Sequence, residues 1–233
     1  MARTVVIAGV GPGLGESLAR TFADAGYQLA LLARSADYLD RLAADLPTEA
    51  VGVRTDLRDP EQIRDAFETL RGELAPVEVL VNHASGGSWR GIDDLDVEDF
   101  DRAYEVGVRG SAVCTRAALA DMRDLGEGTV LFTGATSSVR GKEGAAAFSA
   151  AKFGVRGLAQ SLAKELGPEG IHVAHVVLDG GIRPPNESVD EPAAYLDPDD
   201  VAERYLDLVE EDTATMTHEL HVTNGAGGAI EFV

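Results

Sequence analysis

Two hydrophobic rhythms alternate along the chain. Short continuous apolar runs rich in β-branched residues read as buried strands; longer stretches with apolar positions three and four apart read as helices. Val5-Val6-Ile7-Ala8 is the first such run, and Glu16 to Ala25 follows with Leu18, Ala19 and Phe22 at helical spacing. Tyr27 to Ala33 is a second strand, with Ser35 placed to cap the next helix. Val51 to Arg54 is a third strand, ending in Thr55-Asp56-Leu57. Asp59-Pro60-Glu61 reads as a helix start: a capping aspartate, a proline in the first turn, then an acid. Val77 to Val81 is a fourth strand, a long helical region covers Val97 to Leu125, and Thr129 to Thr133 is a fifth strand. A helix over Ala145 to Leu166 stops at Gly167-Pro168. Ile171 to Leu178 is the sixth strand, Pro198 to Glu211 a helix, and Glu219 to Val222 a short last strand.

This alternation predicts an α/β fold, a Rossmann-type doubly wound parallel sheet of about seven strands with helices on both faces. No linker, repeat or low-complexity tract interrupts it, so residues 1–233 read as one nucleotide-binding domain. Ligands on such sheets bind beyond the carboxyl ends of the strands, and the polar, glycine-rich segments fall there.

Composition narrows the function classes. The chain carries 20 Lys+Arg against 40 Asp+Glu, a net charge of −20, which repels nucleic acid and anionic membrane. Its only lysines are Lys142, Lys152 and Lys164. Many carboxylates with few lysines fit a halophilic-like surface, or simply an acidic soluble protein. A single cysteine, Cys114, in an apolar helical stretch, rules out an internal disulfide and a multi-cysteine metal site. His172 and His175, three apart in a strand, face opposite sides, and His218 and His221 do so if one strand holds both, so no metal site is expected. No apolar run is long enough for a bilayer, and no signal-like segment opens the chain, so a cytoplasmic protein is expected.

Between the first strand and first helix lies Gly9-Val10-Gly11-Pro12-Gly13-Leu14-Gly15. Strand, glycine turn and helix in that order form a phosphate cradle: glycine lets the backbone approach a pyrophosphate, and the helix N-terminus offers free N–H groups.

With these segments in order, the chain resembles the short-chain dehydrogenase/reductase family over nearly its whole length. Ala8-Gly9, Gly13 and Gly15 match the family's Thr-Gly-x-x-x-Gly-x-Gly motif, with alanine for threonine. Asp56-Leu57 looks like the pair beside the adenine, Asn82-His83-Ala84-Ser85 like a variant of Asn-Asn-Ala-Gly, and Asp179-Gly180-Gly181-Ile182 like Pro-Gly-x-Ile at the nicotinamide. The resemblance implies cofactor contacts at Gly9, Gly13, Leu14, Gly15, Arg34, Asp56, Leu57, Asn82, Ala84, Lys152 and Ile182. It also implies strand order 3-2-1-4-5-6-7 and a homodimer or homotetramer formed through the two long helical regions. NAD enzymes place a carboxylate at the end of the second strand to grip the ribose hydroxyls; here Ala33 stands there and Arg34 follows. A guanidinium holds a 2′-phosphate by paired charged hydrogen bonds, so NADP(H) is expected over NAD(H). Pro12 stands where some NADP enzymes carry a second basic residue.

The family's catalytic pattern is broken. Its chemistry needs Tyr-x-x-x-Lys on one helix face, but the segment reads Phe148-Ser149-Ala150-Ala151-Lys152. Lys152 is in place; Phe148 has no proton to give. The family's serine falls at Ala135 and its helix asparagine at Gly107, where a glycine fits a bend but supplies no amide. Losing a positioned general acid lowers rate by about 10²–10⁴-fold. Among substitutes, Asp179 is a candidate proton donor or substrate-orienting group, or else a turn aspartate bonding its own backbone. His83 is either a near-neutral titrating group or packing under the cofactor. Ser149 points about 100° away from Phe148, and Thr136, Ser137 and Ser138 are hydroxyls without a base. Trp89 either lines a substrate pocket or covers the core, and Ile182 to Asp200, with Pro184-Pro185 and Pro192, occupies the variable substrate lid. Two functions stay open: an NADP(H)-dependent oxidoreductase of atypical mechanism on a carbonyl or alcohol, and a non-catalytic NADP(H)-binding sensor or partner-binding protein.

Overall fold

A computed structural model describes residues 3–185, 188–189 and 194–225. Seven strands form one parallel sheet: β1 (Thr4–Ala8), β2 (Gln28–Ala33), β3 (Ala50–Arg54), β4 (Val77–Asn82), β5 (Gly128–Thr133), β6 (Ile171–Asp179) and β9 (Glu219–Thr223). Their order is β3-β2-β1-β4-β5-β6-β9, as expected. A separate two-residue pair joins β7 (Gly181–Ile182) to β8 (Tyr195–Leu196). The helices are α1 (Leu14–Asp24), α2 (Ala36–Asp45), α3 (Pro60–Glu73), α4 (Val97–Tyr104), α5 (Ser111–Leu125), α6 (Ala146–Leu166) and α7 (Pro198–Val209).

Strand alternation distributes the core to two faces. Val5 and Ile7 of β1 pack with Leu18 and Phe22 of α1 and Tyr205 of α7. Val6 and Ala8 face the other way, into a cluster with Phe67 of α3, Cys114 of α5 and Val155 of α6. Successive side chains of a strand point to opposite faces, so each central strand needs apolar residues at every position. Burial pushes the Cys114 thiol up to about 12, consistent with a filler role.

Two local expectations change and a third holds. The helical region from Val97 to Leu125 is interrupted by a π-helical turn over Glu105–Gly110. Ser35 stands at the N-cap of α2, but its side chain makes no capping bond. Asp59 does cap α3, accepting from the backbone N–H groups of Glu61 and Gln62. Pro184 and Pro185 line the cleft, and Pro185 lies 3.7 Å from where a Cβ on Gly13 would stand, whereas Pro192 lies outside the described residues.

Candidate functional site

The strand order reverses between β1 and β4, and a cleft of about 1130 Å³ opens at their carboxyl ends. That exceeds the roughly 300–1,000 Å³ of drug-sized ligand sites. Gly9 has φ +105, and a Cβ there would lie 2.5 Å from Ala84, so only glycine admits this approach of β1 to the β4 turn. The N–H groups of His83 and Ala84 donate to the Ala8 carbonyl at 3.0 and 2.9 Å, pinning the two turns together. Gly13 then ends the loop at the N-terminus of α1, where orphan amides and the helix dipole favour an anion. Gly9, Gly13 and Leu14 line the cleft as expected. Gly15 does not: it packs behind the loop, where an added Cβ would meet Val10 at 3.2 Å.

At the far end, Arg34 lines the cleft beyond β2, beside Ser35, Asp56 and Leu57. Two further arginines that the sequence reading did not single out, Arg41 and Arg58, share this wall. Arg58 donates to the Asp56 carboxylate at 2.6 and 3.0 Å, and that bonding holds Asp56 below the usual carboxylate range. Asn82 departs from expectation. Its amide nitrogen donates to Thr115 Oγ1 of α5 at 3.2 Å, and it is buried outside the cleft wall, so it ties β4 to α5.

The catalytic positions converge on the end of β5. Phe148 and Lys152, one turn apart on α6, and Ala135, just past β5, all line the cleft. Lys152 Nζ donates to the Thr133 carbonyl at 2.7 Å and lies 5.6 Å from the centroid of the Phe148 ring. Burial pushes Lys152 down to about 8. Phe148 packs against the backbone of Gly87, whose missing Cβ leaves the ring its place. Its other neighbour is Trp89, with centroids 5.4 Å apart and planes tilted by 31°. Trp89 is 62% exposed, with Lys142 Nζ 4.8 Å above its ring, so it covers Phe148 at the mouth rather than the core. Gly107 sits buried within the π-helical turn, with only Ala151 near an added Cβ.

The hydroxyls near Ala135 are committed elsewhere. Ser138 Oγ accepts from the Ala135 N–H at 3.0 Å and is fully buried. Thr136 Oγ1 donates to Asp179 at 2.7 Å, and Ser149 Oγ accepts from the Lys142 N–H at 3.2 Å. Asp179 is not the expected turn aspartate. Its two carboxylate oxygens accept from Arg140 at 3.0 and 2.9 Å, and it does not line the cleft. Among the described residues it therefore bonds two side chains, Thr136 and Arg140, and not its own backbone. It latches the end of β6 to the turn after β5.

His83 is packing rather than a near-neutral switch. Its Nδ1 lies 3.1 Å from Thr133 Oγ1, and burial, with Lys152 adding, pushes it down to about 4. Thr133 Oγ1 also accepts from the Tyr205 hydroxyl at 2.8 Å. Thr133 thus joins β4, α6 and α7 beneath the cleft, a role no local motif announces. His172 and His175 do face opposite sides, the first to the Thr217 carbonyl at 2.7 Å, the second to Glu219 at 3.0 Å. His218 precedes β9 and His221 lies within it.

Comparison with known proteins agrees with this fold. The family model for short chain dehydrogenase matches residues 3–188. D-xylose 1-dehydrogenase of Caulobacter vibrioides is 33% identical over 178 residues, covering 75% of this chain and 70% of that protein. The crystal structure of 3-ketoacyl-(acyl-carrier-protein) reductase from Brucella melitensis, complexed with NADH, superimposes with a TM-score of 0.87 at 27% identity, covering 97% and 98% of the two chains. An alcohol dehydrogenase from the archaeon Thermococcus sibiricus, complexed with 5-hydroxy-NADP, agrees in fold, with a TM-score of 0.89 at 24% identity and full coverage of both chains. By matched family model, sequence and fold together, the chain belongs to the short-chain dehydrogenase family.

Proposed function

We propose that the protein is an NADP(H)-dependent oxidoreductase acting on a carbonyl or alcohol by a route that does without the family's tyrosine and serine. The observation that carries this reading is the asymmetry of the cleft. Its cofactor-facing wall keeps the bare glycine turn, three arginines at the β2–β3 end and Lys152, while Phe148 and Ala135 stand at the proton-handling positions.

The residues present fit a phosphorylated dinucleotide. Gly9, Gly13, Leu14 and the first turn of α1 suit the diphosphate. Arg34, with Arg58 and Arg41 nearby, suits a 2′-phosphate, since guanidinium groups bind phosphate through paired charged hydrogen bonds. Asp56 and Leu57 border the adenosine end, Ala84 and Ile182 the passage toward the nicotinamide, and Lys152 the ribose. When bound, the cofactor supplies hydride to, or takes it from, a substrate carbon. The chain's own contribution is orientation, charge and exclusion of water by the Trp89–Phe148 pair and the Pro184-Pro185 lid. The redox activities that the related proteins' names carry are consistent with a small carbonyl or hydroxyl substrate. We further infer a cytoplasmic protein that pairs with itself through α4, α5 and α6, where Phe100, Tyr104 and Phe153 are partly exposed. No helix among the described residues is long and apolar enough to cross a membrane.

A second reading, a non-catalytic NADP(H)-binding protein, is favoured by one observation: the Phe148 ring is clasped by Gly87 and Trp89 in the space where a proton donor would act. One experiment separates the two. NADPH fluorescence titration of the wild type precedes a carbonyl screen of the wild type beside Phe148→Tyr/Ala135→Ser. Measurable wild-type turnover supports the oxidoreductase; turnover appearing only in the double variant supports the binding protein. Absence of NADPH binding sinks both.

A further inference from the structure

Among the described residues, elimination isolates one acid at the catalytic end of the cleft. Phe148 and Ala135 carry no exchangeable side-chain proton. Thr136 donates to Asp179, Ser138 is buried against the Ala135 N–H, and Ser149 is engaged by the Lys142 N–H. Ser85, at the mouth, has no base bonded to it among the described residues, and a hydroxyl without a base is a poor donor. Tyr205 spends its hydroxyl on Thr133 and is fully buried. Lys152 is different. It lines the cleft, is only 6% exposed, and has three N–H bonds, of which Thr133 takes one and the proposed ribose contact a second, leaving a third for substrate.

The electrostatic surroundings of Lys152 are unusual for a buried cation. Among the described residues no carboxylate is paired with it. Two titratable side chains feel its charge, His83 from β4 and His175 from β6, and burial holds both at about 4, hence neutral at pH 7. Arg156, one turn further along α6, is taken by Glu219 through bonds of 2.7 and 2.8 Å. Glu219 is thereby turned to Arg156 and His175 instead of the lysine. Tyr205, reaching in from α7, faces Thr133 Oγ1. The ammonium therefore has a carbonyl oxygen, neutral rings and an apolar face around it, and little to hold its proton.

Building on the oxidoreductase reading, we propose that Lys152 is the proton donor of the reductive direction, its ammonium delivering directly to the substrate oxygen the proton that a phenol at position 148 would otherwise deliver. One ammonium N–H bond breaks, an O–H bond forms on the carbonyl oxygen, and Lys152 is left as a neutral amine. The electron pair on carbon arrives as hydride from a reduced nicotinamide, and solvent returns a proton to the amine. In the oxidative direction the neutral amine takes the alcohol proton. A lysine at about 8 is matched to this exchange near neutral pH, whereas an ordinary lysine, near about 10.4, holds its proton too tightly.

The test begins on the protein without cofactor. Trace acetylation with acetic anhydride is followed across pH 6–11 by peptide mass spectrometry, with exposed Lys142 and Lys164 as internal references. Lys152 is expected to half-react near pH 8 and to be protected by saturating NADPH; half-reaction above about pH 10 overturns the proposal. NADPH oxidation is then measured with 9,10-phenanthrenequinone and 4-nitrobenzaldehyde at saturating NADPH. Wild-type turnover is expected to fall as pH rises through about 8. Lys152→Arg, which keeps the charge but not a releasable proton, is expected to lose at least about 100-fold in turnover. A Lys152→Arg protein within threefold of wild type, or a wild-type rate flat from pH 7 to 10, overturns the proposal alone. No wild-type turnover on either carbonyl overturns the oxidoreductase reading, and this step with it.

Discussion

Arg34 and Arg58 carry the proposed preference for NADP(H) over NAD(H). A carboxylate after β2 would repel a 2′-phosphate; two guanidinium groups on the same wall attract one. Hydrogen bonds to charged groups contribute about 1.5–3 kcal/mol, or roughly 10–100-fold in affinity. Arg34→Ala is therefore expected to weaken NADPH binding by at least about tenfold while changing NADH binding little, as read by fluorescence titration of both. Arg58→Ala is expected to do less, because Arg58 already shares its guanidinium with Asp56. Equal losses for NADPH and NADH would remove the case for 2′-phosphate recognition. Arg34 was legible in the sequence because its place after a strand is local. Arg41 was not, because it sits on α2 and reaches the cleft only through the packing of α2 beside β2 and β3.

At the level of elements, the turn after β5 is held by a latch between distant segments. Asp179, at the end of β6, receives Thr136 and both hydrogen bonds from one Arg140 nitrogen. Their side chains are 16% and 27% exposed, so the pair is largely shielded from water. Asp179→Ala removes both attachments and is expected to cost roughly 1–3 kcal/mol of stability. Faster amide exchange should be confined to residues 134–141, as followed by hydrogen–deuterium exchange; uniform exchange across the sheet would contradict the latch. The π-helical turn at Glu105–Gly110 belongs to this scale too. Apolar periodicity continues across it, so pattern alone reads one helix. Gly107 permits a break there, and the packing of α4 and of the π-helical turn itself against α6 fixes it.

For the molecule as a whole, buried histidines set a dependence on acidity. His83 and His175 are held neutral in the fold at about 4, against about 6.5 when unfolded. Between those values the unfolded chain binds more protons, so stability is full above pH 6.5 and falls as pH drops toward 4. From pH 7 to 5 the loss is on the order of 2 kcal/mol per histidine. Urea denaturation at the two pH values should show it, and His175→Gln should remove about half. Glu219 extends the acid limb. Burial alone would raise it, but Arg156, His175 and His221 hold it at about 2, so its contribution disappears only as pH falls through roughly 4 to 2. A stability flat between pH 7 and 5 would mean that these rings are hydrated.

The element order, the parallel sheet and the glycine turn were all determined by the sequence alone. Each depends on residues close together in the chain, where periodicity and spacing act directly. Tertiary structure decided the partners. Thr133 meets Tyr205 from 72 positions away, and Arg156 meets Glu219 from 63. Asp179 finds Arg140 instead of its own backbone, Asn82 turns to Thr115, and Trp89 settles on Phe148. Which side chains meet over such separations depends on strand register and helix packing, and those are set by the burial of the whole core, not by any local segment.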